Sequence, residues 1–403
     1  MIRKLLTAAV LAAGISLSVS ADTDWMVLPR YSKTGMTLLH GCHNMPKRTE
    51  MQLRWEKPEA GYRYLSIGMK KGFRFGGVNE RGVAVIFTGG GPMADKNPAP
   101  SPNNFTGRRG VIEILSRCAT AKEAEALLQA AADKKLIAGS LIFFVVDRNH
   151  AWAIECSPDN YVSWELPHAF CVYANLWKLP GMDASSTSPV ERTLKCAQRE
   201  WAVREMLRRR LDANKSISRQ DSFAASRLNT HELNGEEYAS ARSKTGKRKF
   251  ETAPYNSSSH DSYLIEVDPE FGELSCIYVA YGPTRHTVYL PVPLGAADAL
   301  PGELFSGEWT DGAFARMKAA KADDPMDPRI LEFEKKLLAE FDNVRLEARW
   351  KYLRQERPDK ARKLLRACLE KQTRETLAFL KSLDQAPPPK PAEGTVEPVK
   401  ASK

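Results

Sequence analysis

The sequence is short of several features that define common protein classes. None of its seven cysteines forms a Cys-x-x-Cys pair, so their spacing indicates neither a zinc site nor a small disulfide framework, and the odd number leaves at least one free thiol. Basic residues are not interleaved with an aromatic platform, so no nucleic-acid-binding signature is present. Beyond residue 21 no apolar run approaches the roughly 20 residues that a membrane crossing needs. We therefore expect no nucleic-acid partner and no membrane span. The cysteines are Cys42, Cys118, Cys156, Cys171, Cys196, Cys276 and Cys368.

The first 21 residues have the pattern of a cleaved signal peptide. Arg3 and Lys4 give a charged start, an apolar run follows from Leu5 to about Ile15, and Val-Ser-Ala at 19–21 has the small-x-small form that signal peptidase recognises. We expect cleavage after Ala21, a mature chain that begins at Asp22, and a periplasmic or secreted protein.

Strand-like and helix-like blocks alternate along the rest of the chain, which predicts an α+β sandwich rather than repeated βαβ units. Residues 22–320 form the predicted main domain, with a helix-rich insertion at about 190–250. Within it, residues 22 to about 90 and the segment from 139 read as short strands, and residues 109 to about 134 read as two helices. Charged amphipathic sequence at 321–384 predicts a helical hairpin packed on the core or on a partner, and the Pro-rich residues 385–403 predict a disordered tail.

Two short motifs suggest chemistry that their surroundings do not support. The glycine-rich stretch Gly77–Gly91 lacks the Gly-Lys-Ser/Thr ending that contacts phosphate and magnesium, so it favours a tight turn and a buried strand over a nucleotide site. The motif His-Gly-Cys-His-Asn offers His40, Cys42 and His43. Alternate residues of a strand share a face, so His40 and Cys42 converge while His43 points away. We expect no metal and no cofactor.

The order of motifs resembles one family of hydrolases. These motifs are GVNERGVAVIFT, ATAKEAEALL, GSLIFFVVDRNHAWAIECSP, CVYANLW, SPVER and HDSYLIEVDPEFGELSCIYVAYGPTRHTVYLPV. Over about residues 22–295 the chain is similar to the N-terminal-nucleophile (Ntn) hydrolases of the penicillin acyltransferase (isopenicillin-N N-acyltransferase) and choloylglycine hydrolase group. The resemblance implies a four-layer αββα sandwich and hydrolysis or acyl transfer at linear amide (C–N) bonds.

The resemblance also implies a specific nucleophile, and the sequence departs from the family there. In this group the mature chain begins with Cys, whose thiol attacks the amide while its own α-amine, which titrates near pH 7.7–8.0, serves as the base. Here Asp22 occupies that position. The family's nearby basic and Asp positions fall on Gly41 and Asn44, or on Cys42 and Met45 if the register shifts. A carboxylate is a poor replacement for the thiol, so the resemblance implies a catalytically impaired member.

Other family positions are retained, and they define the predicted pocket around Asp22. Asn175 matches an Asn that helps to hold the oxyanion, Thr88 lies near a second pocket-lining position, and Arg192 matches an Arg near the nucleophile's amine.

Three alternatives to an impaired hydrolase remain. The chain is an active amidase or acyltransferase with another nucleophile, for which Cys42 is the candidate. It is a non-catalytic module that binds an amide or acyl small molecule, or a scaffold. Or its function lies in the C-terminal helices, as a hairpin that docks a protein partner.

Overall fold

Two antiparallel sheets form the centre of the molecule. The computed structural model describes residues 22–44, 50–70, 72–166, 169–182, 186–228, 254–255, 259–305, 307–320 and 326–385. One sheet has six strands in the order β10-β1-β2-β11-β12-β13, and the other has seven in the order β3-β4-β5-β6-β7-β8-β9. The strands are β1 Thr23–Val27, β2 Thr37–Asn44, β3 Met51–Glu56, β4 Tyr64–Met69, β5 Arg74–Asn79, β6 Ala84–Gly89, β7 Leu141–Val146, β8 Ala151–Cys156, β9 Tyr161–Glu165, β10 Phe170–Tyr173, β11 Ser259–Val267, β12 Cys276–Tyr281 and β13 Leu290–Pro293.

Helices cover the outer face of each sheet. Two helices, α1 and α2, pack on the seven-stranded sheet, and the remaining helices lie on the side of the six-stranded sheet. The four-layer αββα arrangement predicted from the sequence is therefore confirmed. The helices are α1 Gly107–Arg117, α2 Ala121–Asp133, α3 Val190–Asn214, α4 Arg219–Ser226, α5 Glu308–Ala319, α6 Pro328–Glu347 and α7 Pro358–Gln385.

Local sequence explains where α1 and α2 begin and how closely they approach the sheet. The Thr106 hydroxyl accepts a hydrogen bond from the backbone N–H of Arg109, and Thr120 caps α2 in the same way through Glu123. Gly107 lies directly on Phe87, because a Cβ at residue 107 would come within 2.2 Å of that ring. The absent side chain lets α1 seal the outer apolar core of the seven-stranded sheet.

The C-terminal helices share the main hydrophobic core. Phe341 on α6 and Leu365 on α7 are fully buried in the cluster that also fills the space between the sheets. Phe341 meets the ring of Tyr278 on β12 edge-on at 6.1 Å. Between the two helices the chain passes through a π-turn at Ala348–Tyr352 and a 3₁₀ turn at Leu353–Gln355.

Three segments that carry sequence-based predictions lie outside the described residues. They are the predicted signal peptide at 1–21, most of the insertion beyond residue 228, and the Pro-rich tail after residue 385. None of the helices in the ranges that the structure describes is both long and apolar enough to cross a membrane.

Candidate active site

The start of β1 brings Asp22 against the end of β6. Asp22 is 5% exposed. Its Oδ1 accepts a hydrogen bond from the backbone N–H of Asn44 at 3.1 Å, and its Oδ2 accepts one from the Thr88 hydroxyl at 3.3 Å. Both carboxylate oxygens are therefore held, one by β2 of the same sheet and one by the facing sheet.

A chain of hydrogen bonds extends from Thr88 to Asn175. The Asn175 side-chain amide donates to Thr88 Oγ1 at 3.1 Å and to the Gly89 carbonyl at 3.0 Å. Asn175 follows β10 in a left-handed conformation with φ of 57°, which Asn tolerates better than most residues. The structure thus brings together Asp22, Thr88 and Asn175, three of the residues that the sequence singled out.

A buried arginine that the sequence analysis did not identify completes this chain. Arg199 on α3 is 3% exposed, and its Nη2 donates to Asn175 Oδ1 at 3.3 Å and approaches Cys196 Sγ at 3.4 Å. The sequence CAQREW reads as a charged, solvated helix face. Only the helical spacing of Cys196, Arg199 and Val203, all buried, indicates that Arg199 faces inward.

Arg192 lies two helical turns before Arg199 on the same face of α3 and interacts electrostatically with Asp22. Burial lowers the pKa of Arg192, and Cys196 and, more weakly, Asp22 oppose that effect. Its Nε and Nη2 are buried but have no hydrogen-bond partner among the described residues. The backbone of Gly91 borders it, since a Cβ there would lie 3.4 Å from Nη2 of Arg192.

Beneath Asp22, four more polar side chains are fully buried between the sheets: Asp24, His43, Asp261 and Tyr263. His43 stacks on Phe75 with ring centroids 4.1 Å apart, and its Nδ1 lies 3.7 Å from Asp261 Oδ2. Burial alone would lower the pKa of His43, but Asp22 and Asp261 outweigh it and raise the pKa to about 9. The raised pKa favours the cationic imidazole at neutral pH.

Asp24 has a pKa well above the ordinary value for a carboxyl group. Burial raises its pKa to about 8; Asp22 adds to the rise, and His43 opposes it. The raised pKa favours the protonated form of Asp24 at neutral pH.

Gly41, the position that the resemblance assigns to a basic residue, has no room for a side chain. The phenol of Tyr263, from the paired residue on β11, fills that space, because a Cβ on Gly41 would lie 2.7 Å from its Cζ and 2.8 Å from its hydroxyl. Asn44 stands where the resemblance places an Asp, and its backbone N–H donates a hydrogen bond to Asp22. Met45 lies outside the described residues.

Cys42 lies on the opposite face of β2 from the Asp22 cluster. Its neighbour in register is Thr23 on β1, and its Sγ contacts the Pro254 carbonyl at 3.8 Å. Cys42 is fully buried, and burial, reinforced by nearby carboxylates, raises the pKa of its thiol. Both effects disfavour a reactive thiolate.

His40 shares the face of Cys42, as strand alternation predicts. Its ring stacks on Trp25 at 4.0 Å, and its Nε2 lies 2.7 Å from Ser262 Oγ. Across the part of the chain that the structure describes, no group of three or more His, Cys, Asp or Glu side chains is arranged to hold a metal ion.

Neither a protein-family model nor a curated protein matches the chain. Among solved structures, it is similar to two variants of the conjugated bile acid hydrolase from Clostridium perfringens, each at 11% identity, with TM-scores of 0.44 and 0.43. Both alignments cover 68% of this chain and 92% of that chain. It is also similar to penicillin V acylase from Agrobacterium tumefaciens, at 12% identity over 68% of this chain and 86% of that one, with a TM-score of 0.35. These two proteins belong to the hydrolase group that the sequence resembles.

Proposed function

We propose that this chain is a secreted protein of the Ntn-hydrolase fold whose amide-cleaving centre is catalytically silent. The observation that carries the proposal is the state of Asp22. Its carboxylate is buried, and both of its oxygens already accept hydrogen bonds, from the Asn44 backbone and from Thr88. The resemblance assigns the nucleophile to this position.

The chemistry of a carboxylate supports this proposal. Attack of a carboxylate on an amide would form an anhydride and expel an amine, an uphill step that a thiol avoids by forming a thioester with its own amine as base. The oxyanion donor is also engaged elsewhere. Both hydrogens of the Asn175 amide group have acceptors, in Thr88 and the Gly89 carbonyl, so neither is directed at a developing oxyanion.

A panel of linear acyl amides tests the proposal. The mature protein and the variants Asp22→Asn and Cys42→Ser are each incubated with the panel, and amine release is measured. We expect no release above the level of the two variants. Release that Asp22→Asn abolishes would refute the silent centre, and release that Cys42→Ser abolishes would establish a relocated nucleophile.

The signal-peptide pattern supports export and cleavage between Ala21 and Asp22. Intact mass spectrometry of the exported protein measures the first residue directly. A mature chain that begins at any other residue would show that Asp22 is not the N-terminal residue and would contradict this part of the proposal.

A second candidate function is retention of an amide or acyl ligand without turnover. The unpartnered Nε and Nη2 atoms of Arg192 beside the Asp22 site favour it, since a ligand carbonyl or carboxylate would satisfy them. This function predicts that an acyl amide raises the melting temperature of the protein without product formation. The Arg192→Ala variant should lose this stabilisation. Equal stabilisation of the wild type and the variant would contradict this function.

A further inference from the structure

A second cleft lies at the opposite end of the sandwich from Asp22. It has a volume of about 290 Å³, at the lower end of the size range of small-molecule sites. Its walls come from three strand-to-strand turns, β5–β6, β7–β8 and β11–β12, and from the link between α1 and α2. Strand β6 connects the two regions. At about 3.3 Å per residue, Gly82 in the cleft is about 20 Å from Thr88 in the Asp22 site.

Four carboxylates line the cleft, and each is already engaged. Asp147 accepts hydrogen bonds from three backbone N–H groups at 2.6, 2.7 and 2.8 Å. Asp268 accepts two backbone N–H groups at 3.0 Å through Oδ1, and its Oδ2 pairs with Arg349. The glutamates pair with arginines: Glu80 with Arg63, and Glu270 with Arg349 and Arg354.

The partners of these carboxylates determine the net charge that a ligand meets in the cleft. Each of the eight carboxylate oxygens already has a donor. Arginine partners offset the charge of Glu80, Asp268 and Glu270, and backbone N–H groups hold Asp147. The charges that remain are two arginines at the tips of neighbouring turns, Arg81 and Arg148, both exposed. Neither guanidinium forms an ion pair with a described residue; that of Arg81 lies 5.9 Å from the ring centroid of Tyr62.

We propose that this cleft is a second binding site, for a small oxyanion that carries two or more negative charges, held between Arg81 and Arg148. Guanidinium groups bind phosphate and carboxylate through paired N–H donors, which suits a compact polyanion. The arginine-paired acids and the backbone-bonded Asp147 line the cleft, and Arg81 and Arg148 are the cations with which a ligand can pair. The site is independent of any chemistry at Asp22.

Isothermal titration calorimetry on the full mature chain, at low ionic strength and near-neutral pH, tests the proposal with inorganic phosphate, pyrophosphate and citrate as probes. We expect one site per chain and a Kd that rises about tenfold or more in the double variant Arg81→Ala/Arg148→Ala. Tighter binding of pyrophosphate than of citrate would identify a phosphate site, and the reverse a carboxylate site.

A matched control removes the same charge elsewhere. Arg357 and Arg374 are exposed and form no ion pair with a described residue, so the double variant Arg357→Ala/Arg374→Ala should leave the Kd within about twofold. Equal weakening by the two double variants would reduce the effect to net charge and overturn the site. So would the absence of binding to all three probes at low millimolar concentration. Thermal melts check that both variants remain folded.

Discussion

Replacing Glu334 by alanine tests how firmly the C-terminal helices belong to the fold. Glu334 on α6 is 3% exposed and accepts hydrogen bonds from Arg227 Nη2 at 2.8 Å and Nη1 at 2.9 Å. Its Oε1 also accepts the backbone N–H of Tyr289 at 2.8 Å. Arg227 itself is 3% exposed and ends α4, so this ion pair joins the hairpin to the layer beneath it.

The expected loss can be worked out from these contacts. Removal of one partner of a buried ion pair leaves an uncompensated charge and costs about 3–5 kcal/mol. In Glu334→Ala, Arg227 keeps two partners, the carbonyls of Thr284 and Thr287 at 3.0 and 3.3 Å, which places the charge cost near the lower limit. The unsatisfied N–H of Tyr289 adds about 1 kcal/mol. We expect a total of about 4 kcal/mol in the free energy of unfolding.

Urea denaturation followed by far-UV circular dichroism measures this loss. The matched control is Glu340→Ala, which breaks an exposed pair with Lys371 and should cost less than about 1 kcal/mol. The double variant Arg227→Leu/Glu334→Leu leaves no buried charge and should cost less than Glu334→Ala alone. A loss in Glu334→Ala no larger than in the control would refute the reasoning and leave the hairpin as an appendage available for docking a partner.

Three further predictions concern the Asp22 site. Gly41→Ala should lower the free energy of unfolding by about 1–3 kcal/mol because the new Cβ meets the Tyr263 ring. In urea titrations, the double variant Gly41→Ala/Tyr263→Leu should lose less stability than the two single variants combined, and strict additivity would contradict the clash. Thr88→Val should lower the free energy of unfolding by about 1–3 kcal/mol because it removes the hydrogen bond that Thr88 donates to Asp22 Oδ2, and a neutral result in thermal melts would argue against that bond. Because the folded pKa of Asp24 is raised to about 8, the folded state keeps a proton that the unfolded chain has lost above pH 4. The free energy of unfolding should therefore fall as pH rises from about 4 to 8; Asp24→Asn should remove about one proton from that slope, and an unchanged slope would place the proton elsewhere.

The proximity of Asp22, Thr88 and Asn175 was the part of the site that the order of motifs predicted. Asp22, Thr88 and Asn175 each lie at the end of a strand with a recognisable pattern, so a match in motif order is enough to place them at one edge of the sandwich. The order of the layers could also be predicted, because the change from strand periodicity to helix periodicity is a local property of the sequence.

Long-range packing could not be read in the same way. Tyr263 lies more than two hundred residues after Gly41 in the sequence. Nothing in either motif indicates that the Tyr263 ring occupies the space beside Gly41 that a side chain would need. Arg199 was missed because a buried arginine in a charged helix looks like its solvated neighbours; its spacing from Cys196 and Val203 was the one signal in the sequence, and its hydrogen bond to Asn175 is visible only in the structure.

Under the proposed function, an aspartate at position 22 affects charge as well as nucleophilicity. An aspartate there places a further carboxyl group in a space that already holds Asp24 and Asp261, and the pKa values of Asp24 and His43 are both raised there. Amide cleavage passes through an oxyanion, which additional negative charge at the attacking position would destabilise. The Asp22→Cys variant removes that charge but leaves the Tyr263 ring over Gly41 and the Asn175 amide bonded to Thr88. We therefore expect no amine release from Asp22→Cys in the acyl amide assay, because the nucleophile alone does not rebuild the groups around it.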